Sequence, residues 1–196
     1  EDFWDKKGLK RGEWTVCLNP GGNWGPKRWP GENFAQLADR LIREYHAKII
    51  FSGSKDDISL IKEITRMMEQ KDFIVSAGYT NLTQAGAIFK KANLMVSGDS
   101  GPLHIASSVG ANVLALFGPT SPAITGPIGA SISLSADGER SRTIGKGKIK
   151  IIQKDIGCRI PCYDTACDDN RCMRAMRVED VLKEIKEMFK QRESNL

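Results

Sequence analysis

The chain repeats one unit five times: a short apolar run, a turn of small or polar residues, then a stretch with helical periodicity. The apolar runs are residues 14–18, 48–51, 72–76, 93–97 and 112–117. Between them, 32–45 places Phe34, Leu37, Ala38, Leu41, Ile42 and Tyr45 on one helical face. A second helix is expected to run to about Gln70, with Ile58, Ile61, Ile64 and Met68 inward, and Ser54 with Asp57 three residues on reads as its capping box. Asn81 with Gln84 reads as the cap of a third helix, 82–90. Strands that alternate with helices need crossover connections, which gives a parallel sheet. The expected fold is therefore α/β, a Rossmann-like parallel sheet with helices on both faces. Residues 149–152 read as a last short strand, 126–148 as a surface excursion, and 178–189 as a closing helix with Val178, Val181, Leu182, Ile185, Met188 and Phe189 inward.

In such a sheet all five turns fall at one edge, where ligands of open α/β folds bind. They carry Gly21 and Gly22, Ser52 and Gly53, Gly78 and Thr80, Asp99, Ser100 and Gly101, and Gly118 and Thr120. The first turn, 19–30, holds six Pro or Gly in twelve residues, with Lys27 and Arg28 for charge and Trp24 and Trp29 for flat surface. It reads either as ligand-contacting through Gly21, Gly22 or Lys27, or as a rigid loop with Trp29 packed as a plug. The turn at Gly98-Asp99-Ser100-Gly101 opens a small-residue helix, 102–109, with Pro102 suited to its first position. Bare amides at that helix start form an anion site, to which His104 adds a donor or a cation. Asp99 is out of place beside an anion. It reads as a partner for sugar hydroxyls or as a helix cap.

Composition narrows the class. With 40% hydrophobic and 27% charged residues in 196, the chain suits one globular α/β domain, and no apolar run approaches the length of a membrane span. Net charge is +5, compatible with nucleotides, phosphosugars and anionic headgroups, but basic residues are scattered among acidic ones and no aromatic-basic stripe marks a nucleic-acid binder. There is neither a Gly-x-Gly-x-x-Gly fingerprint nor a P-loop, and two histidines exclude a His-rich metal site. His46 reads as surface and Cys17 as core.

Asn19-Pro-Gly-Gly, Lys27-Arg-Trp-Pro30, Phe34-x-x-Leu37-Ala38, Gly98-Asp99-Ser-Gly-Pro-Leu-His104-Ile-Ala106 and Leu116-Phe-Gly-Pro-Thr-Ser-Pro122 occur in the order and spacing of one family. Over about 14–189 the chain resembles the heptosyltransferases, glycosyltransferase family 9, which use ADP-heptose to build the lipopolysaccharide inner core. The resemblance covers the C-terminal, donor-binding half of a two-domain GT-B enzyme. It implies that 1–13 ends an interdomain linker from a missing N-terminal domain, that 14–190 is the nucleotide-sugar-binding domain, and that 191–196 is a frayed tail. It implies Lys27 on the donor phosphates, Asp99 on sugar hydroxyls, and Ser100 (a Thr in most members), Gly101, the following amides and His104 around the pyrophosphate. The adenosine is expected near Ser52, Gly53 and Thr80, with Gly21, Gly22 and Thr120 completing the substrate contacts. The implied chemistry is inverting transfer without a divalent metal or other cofactor. The base lies on the missing domain, so this chain alone is expected to bind donor and not to transfer. The implied partners are the donor and, through the missing domain, a lipopolysaccharide-core acceptor, at the cytoplasmic face of the inner membrane and with peripheral contact only. No nucleic acid is implied.

Cys158, Cys162, Cys167 and Cys172 form a cluster with three readings. They are a tetrahedral zinc site lacking the usual Cys-x2-Cys pair, disulfides, or a compact loop of free thiols. The family's members carry such a cluster too. If the resemblance is set aside, the competing function is a stand-alone, non-catalytic nucleotide-binding module with a Cys-based metal or structural knuckle.

Overall fold

A computed structural model describes residues 4, 7–10, 12–128, 141–144, 149–164 and 166–193. Seven strands form one sheet in the order β3-β2-β1-β4-β5-β7-β6. They are β1 (Thr15–Asn19), β2 (Lys48–Phe51), β3 (Phe73–Val75), β4 (Leu94–Gly98), β5 (Val113–Phe117), β6 (Ser141–Ile144) and β7 (Ile149–Lys154). All neighbours pair in parallel except β6, which runs antiparallel to β7 with Ser141 opposite Lys154. The helices are α1 (Gly31–Tyr45), α2 (Ile58–Met67), α3 (Leu82–Lys91), α4 (Gly101–Ser108), α5 (Pro122–Thr125), α6 (Arg171–Arg174) and α7 (Val178–Glu193).

The two-residue period of the strands divides their side chains between two apolar layers. Val16, Leu18, Leu94, Val96, Leu114 and Leu116 face one, against α1, α2 and α7. Cys17, Met95, Val113, Ala115 and Phe117 face the other, against α3 and α4. Burying each large side chain contributes about 1.5–3 kcal/mol, so the central strands are held from both faces. Burial also pushes the Cys17 thiol far above its ordinary range, as expected of a core residue.

Local chemistry sets the helix ends. Trp29, just before the Pro30 cap, packs edge-on against Phe34 with ring centroids 5.0 Å apart and donates its indole N–H to the Met176 carbonyl at 2.8 Å. This hydrophobic staple makes Trp29 the packed plug of the loop. At the other end of α1, His46 is exposed, adopts φ 52° and closes the helix in the place glycine usually takes. The Asn81–Gln84 capping box forms in both directions.

Several expectations are corrected. Asp57, not Ser54, stands at the N-cap of α2, and only half of the expected box exists: the Asp57 carboxylate accepts from the Ser54 amide at 2.7 Å and hydroxyl at 2.8 Å. Helix α2 stops at Met67, because the amides of Glu69 and Gln70 donate to the buried Asp39 carboxylate at 2.9 and 2.8 Å. The excursion at 126–148 contains β6, while its residues 129–140 and 145–148 lie outside the described residues. Strand β7 extends to Lys154 and α7 to Glu193, so the expected tail retains only 194–196, which lie outside the described residues. Of the expected linker, Trp4 and Leu9 are buried against the second apolar layer.

Candidate functional site

At the carboxyl edge of the sheet, four of the five turns enclose a cavity of about 720 Å³. Parallel strands end together there, and each turns into its helix at a small residue. Of the sequence-predicted residues, Gly21, Gly22, Lys27, Ser52, Gly53, Thr80, Asp99, Ser100 and Gly101 line it. His104 and Thr120 do not. His104 lies one turn into α4, with its Nε2 3.9 Å from Asp99 Oδ1. Thr120 sits in the fifth turn. Its carbonyl accepts from the buried Gln153 side chain at 2.8 Å, and its hydroxyl is buried without a partner among the described residues.

The first turn brings a cation to the cavity floor. Gly22 adopts φ +147°, and the Arg28 guanidinium donates to its carbonyl at 2.8 and 2.6 Å, which folds the loop back on itself. A short 3-10 turn, Gly25–Lys27, then directs Lys27 inward. The loop touches the end of β4 so closely that a Cβ on Gly98 would stand 3.0 Å from the Lys27 carbonyl oxygen. Lys27 Nζ bonds Asp99 Oδ2 at 2.7 Å and lies 5.6 Å from the centroid of Trp24. The Asp99 side chain is only 4% exposed, so the pair with Lys27 is made away from most of the solvent. Asp99 is not the cap of α4. It also accepts from the Thr125 hydroxyl at 2.9 Å.

Ser100 is the N-cap of α4, with Pro102 one position later than expected, in the second helical residue. Its hydroxyl turns to the Ser97 hydroxyl at 3.1 Å and makes no capping bond. Pro102 has no N–H and the Leu103 amide donates to the Ser100 carbonyl at 3.1 Å, so at the start of α4 the Gly101 amide is left for a ligand, with the positive end of the helix dipole behind it.

Part of the cavity lining is apolar. Leu82, Ala85 and Phe89 from α3 and Ile105 from α4 form it. Asn19 and Asp57 are among the polar lining residues that sequence reasoning missed. Asn19 is buried with its amide nitrogen on the Ser52 carbonyl at 3.0 Å and its oxygen unpartnered among the described residues. Asp57 packs so tightly that a Cβ on Gly21 would come within 2.2 Å of its carboxylate. The Asn19-Pro-Gly-Gly motif contained Asn19, whereas Asp57 carried only a capping signal. Thr125 had no local signal at all.

The four clustered cysteines line a separate small cavity of about 70 Å³ beside Gly118 and Pro119. All are free thiols, and burial above all raises the thiol pKa of Cys172. Among the described residues no three His, Cys, Asp or Glu side chains are grouped to hold a metal. The loop has a structural connection: the Cys162 amide donates to the Pro119 carbonyl at 2.8 Å, supporting the fifth turn. Among the described residues no helix is long and apolar enough to cross a membrane.

The chain is similar to known proteins in sequence and in fold. The sequence model of glycosyltransferase family 9 (heptosyltransferase) matches residues 5–153. The chain is 40% identical over 113 residues to lipooligosaccharide heptosyltransferase 2 of Haemophilus influenzae, covering 56% of this chain and 32% of that protein. It is 27% identical over 186 residues to the Campylobacter jejuni serotype O:6 enzyme of the same name, covering 92% of this chain and 53% of the relative. The solved structure of Escherichia coli ADP-heptose lipopolysaccharide heptosyltransferase II superposes with a TM-score of 0.75 at 25% identity, over 97% of this chain and 50% of that one. The chain thus spans about half the length of such relatives.

Proposed function

Because the chain belongs to glycosyltransferase family 9, the heptosyltransferases, we propose that its cavity is the donor site of an enzyme transferring heptose from ADP-heptose to the lipopolysaccharide core. One observation carries the reading: the lining is of two kinds, with Lys27, Asp99 and the Gly101 amide at the uncapped start of α4 on the polar side of that division and Leu82, Ala85, Phe89 and Ile105 on the apolar side. A nucleoside diphosphate sugar has the same division. Its diphosphate suits the cation and the helix start, and its base suits the apolar lining. The Escherichia coli relative is described by the donor ADP-heptose.

On this reading Lys27 and the Gly101 amide at the start of α4 hold the diphosphate, with the Ser100 hydroxyl at its edge. Asp99 accepts from hydroxyls of the sugar. Asp57, Ser52, Gly53 and Thr80 face the nucleoside. An acceptor hydroxyl attacks the anomeric carbon opposite the leaving ADP and inverts it. Negative charge builds on the diphosphate, where Lys27, the helix start and His104 stabilise it without a divalent cation. Asp57 and Asp99 are both engaged by donors. The base that takes the acceptor proton, and the lipopolysaccharide acceptor itself, are therefore assigned to the rest of a full-length enzyme at the inner face of the inner membrane. The chain by itself binds donor and does not transfer.

Calorimetric titration tests this, with ADP against UDP and GDP. We expect saturable ADP binding, weakened about 10–100-fold in Lys27→Ala, the range for removing one charge-assisted contact. Asp99→Ala is expected to lose affinity for ADP-heptose and keep it for ADP. A folded chain that binds no nucleotide at millimolar concentration sinks the reading.

A further inference from the structure

The two oxygens of Asp99 have different surroundings. Oδ2 accepts both from Lys27 Nζ at 2.7 Å and from Thr125 Oγ1 at 2.9 Å. Oδ1 accepts no hydrogen bond among the described residues, and His104 Nε2 stands 3.9 Å from it, beyond hydrogen-bond distance. From this asymmetry we infer that Thr125 is a positioning residue for sugar recognition: its hydroxyl anchors Oδ2 so that Oδ1 faces the donor sugar. The inference rests on the donor-site reading above.

The physical argument concerns what happens when the diphosphate arrives. Lys27 is the cation at the phosphate end of the cavity, so an incoming diphosphate competes with Asp99 for it. If Lys27 swings to the phosphates, an almost fully buried carboxylate loses its charge partner. An unanchored carboxylate would turn to follow the ammonium or to find water, and its free oxygen would no longer face the sugar. A neutral hydroxyl prevents this. It holds the carboxylate by one directed bond, and it has no charge with which to compete for the phosphates. Thr125 is well placed for that part. It ends α5, and its single hydroxyl proton has two acceptors in reach, the Asp99 carboxylate at 2.9 Å and the Ser121 carbonyl at 3.3 Å, of which the charged and nearer carboxylate is the stronger. The fifth turn that carries α5 is clamped in turn. Gln153 Nε2 donates to the carbonyls of Gly118 at 3.0 Å and Thr120 at 2.8 Å, and the Cys162 amide donates to Pro119. The fifth turn does not line the cavity, yet it controls the orientation of a carboxylate that does.

The test is a ratio. ADP and ADP-heptose are titrated into the wild-type chain, Thr125→Val and Thr125→Ser. Valine keeps the shape and removes the hydroxyl, whereas serine keeps the hydroxyl. We expect Thr125→Val to bind ADP within about twofold of wild type and to lose about tenfold in its preference for ADP-heptose over ADP, the equivalent of one hydrogen bond to a charged group. Thr125→Ser restores the preference. Retained ADP binding also shows that the valine variant is folded. If the preference is unchanged in Thr125→Val, or both affinities fall together, the role assigned to Thr125 is overturned while the donor-site reading stands. If wild type binds no ADP, the donor-site reading itself falls, and this inference with it.

Discussion

The four clustered thiols show how strongly one loop can differentiate identical side chains. Cys158 is exposed, whereas Cys172 lies against Gly118, where an added Cβ would stand 3.1 Å from its sulfur. Desolvation raises the Cys172 pKa, so at neutral pH a smaller fraction of it is the reactive thiolate. Cys17 is fully buried, and its thiol is driven up much further. Timed alkylation with iodoacetamide at pH 8, read by peptide mass spectrometry, should therefore modify Cys158 first and Cys172 on the order of tenfold more slowly. Cys17 should be modified only when the chain unfolds. Equal rates at Cys158 and Cys172 would contradict the burial described here. Protection of all four clustered thiols together, lifted by a chelator, would return the cluster to the metal reading that the present grouping of side chains does not support.

At the scale of elements, the Asn81–Gln84 box is the most local device in the molecule. Both of its bonds are made between residues three apart on the exposed start of α3, at 2.9 and 3.0 Å. Asn81→Ala should lower stability by about 1 kcal/mol, seen as a lower denaturant midpoint with an unchanged slope. Because α3 also supplies Leu82, Ala85 and Phe89 to the cavity wall, the variant reports whether fraying there weakens ligand binding. The same comparison explains what was legible beforehand. Apolar periodicity, the Asn81 cap and the turns with Gly21, Gly53 and Asp99 are short-range features, and sequence carries them, whereas the plug at Trp29 closes on Met176 from 147 residues away. The end of α2 was not legible, because Asp39 fixes it from thirty residues away. Ser54 and Asp57 matched a box pattern, but the carboxylate turned toward the Gly21 and Gly53 turns. Strand β6 has no apolar alternation in Ser141-Arg-Thr-Ile and exists through pairing with β7. The partners of Asp99 illustrate the same limit: Lys27 comes from 72 residues before it and Thr125 from 26 after it, so no spacing rule could join them.

The whole molecule is a sheet whose central strands are its most protected part. Every residue of β1, β4 and β5 is buried, whereas β3 at one edge is only half-buried. The proposed ligand sits at the ends of β1 and β4, in contact with loops from both halves of the sheet. Binding only the native state stabilises it by RT ln(1 + [L]/Kd), about 2.7 kcal/mol at a hundredfold excess over Kd. That energy reaches every amide that exchanges through global unfolding, wherever it lies. Hydrogen exchange with ADP at a hundredfold over Kd should therefore slow the amides of β1, β4 and β5 by about 100-fold, including those facing the layer of α1, α2 and α7, which the nucleotide does not touch. Edge amides in β3, which open locally, should gain less. Protection confined to the turns around Gly21, Gly53 and Ser100, with the central strands unchanged, would mean that those strands exchange through openings that leave the ligand bound. The sheet would then not be the single cooperative unit that its two continuous apolar layers imply.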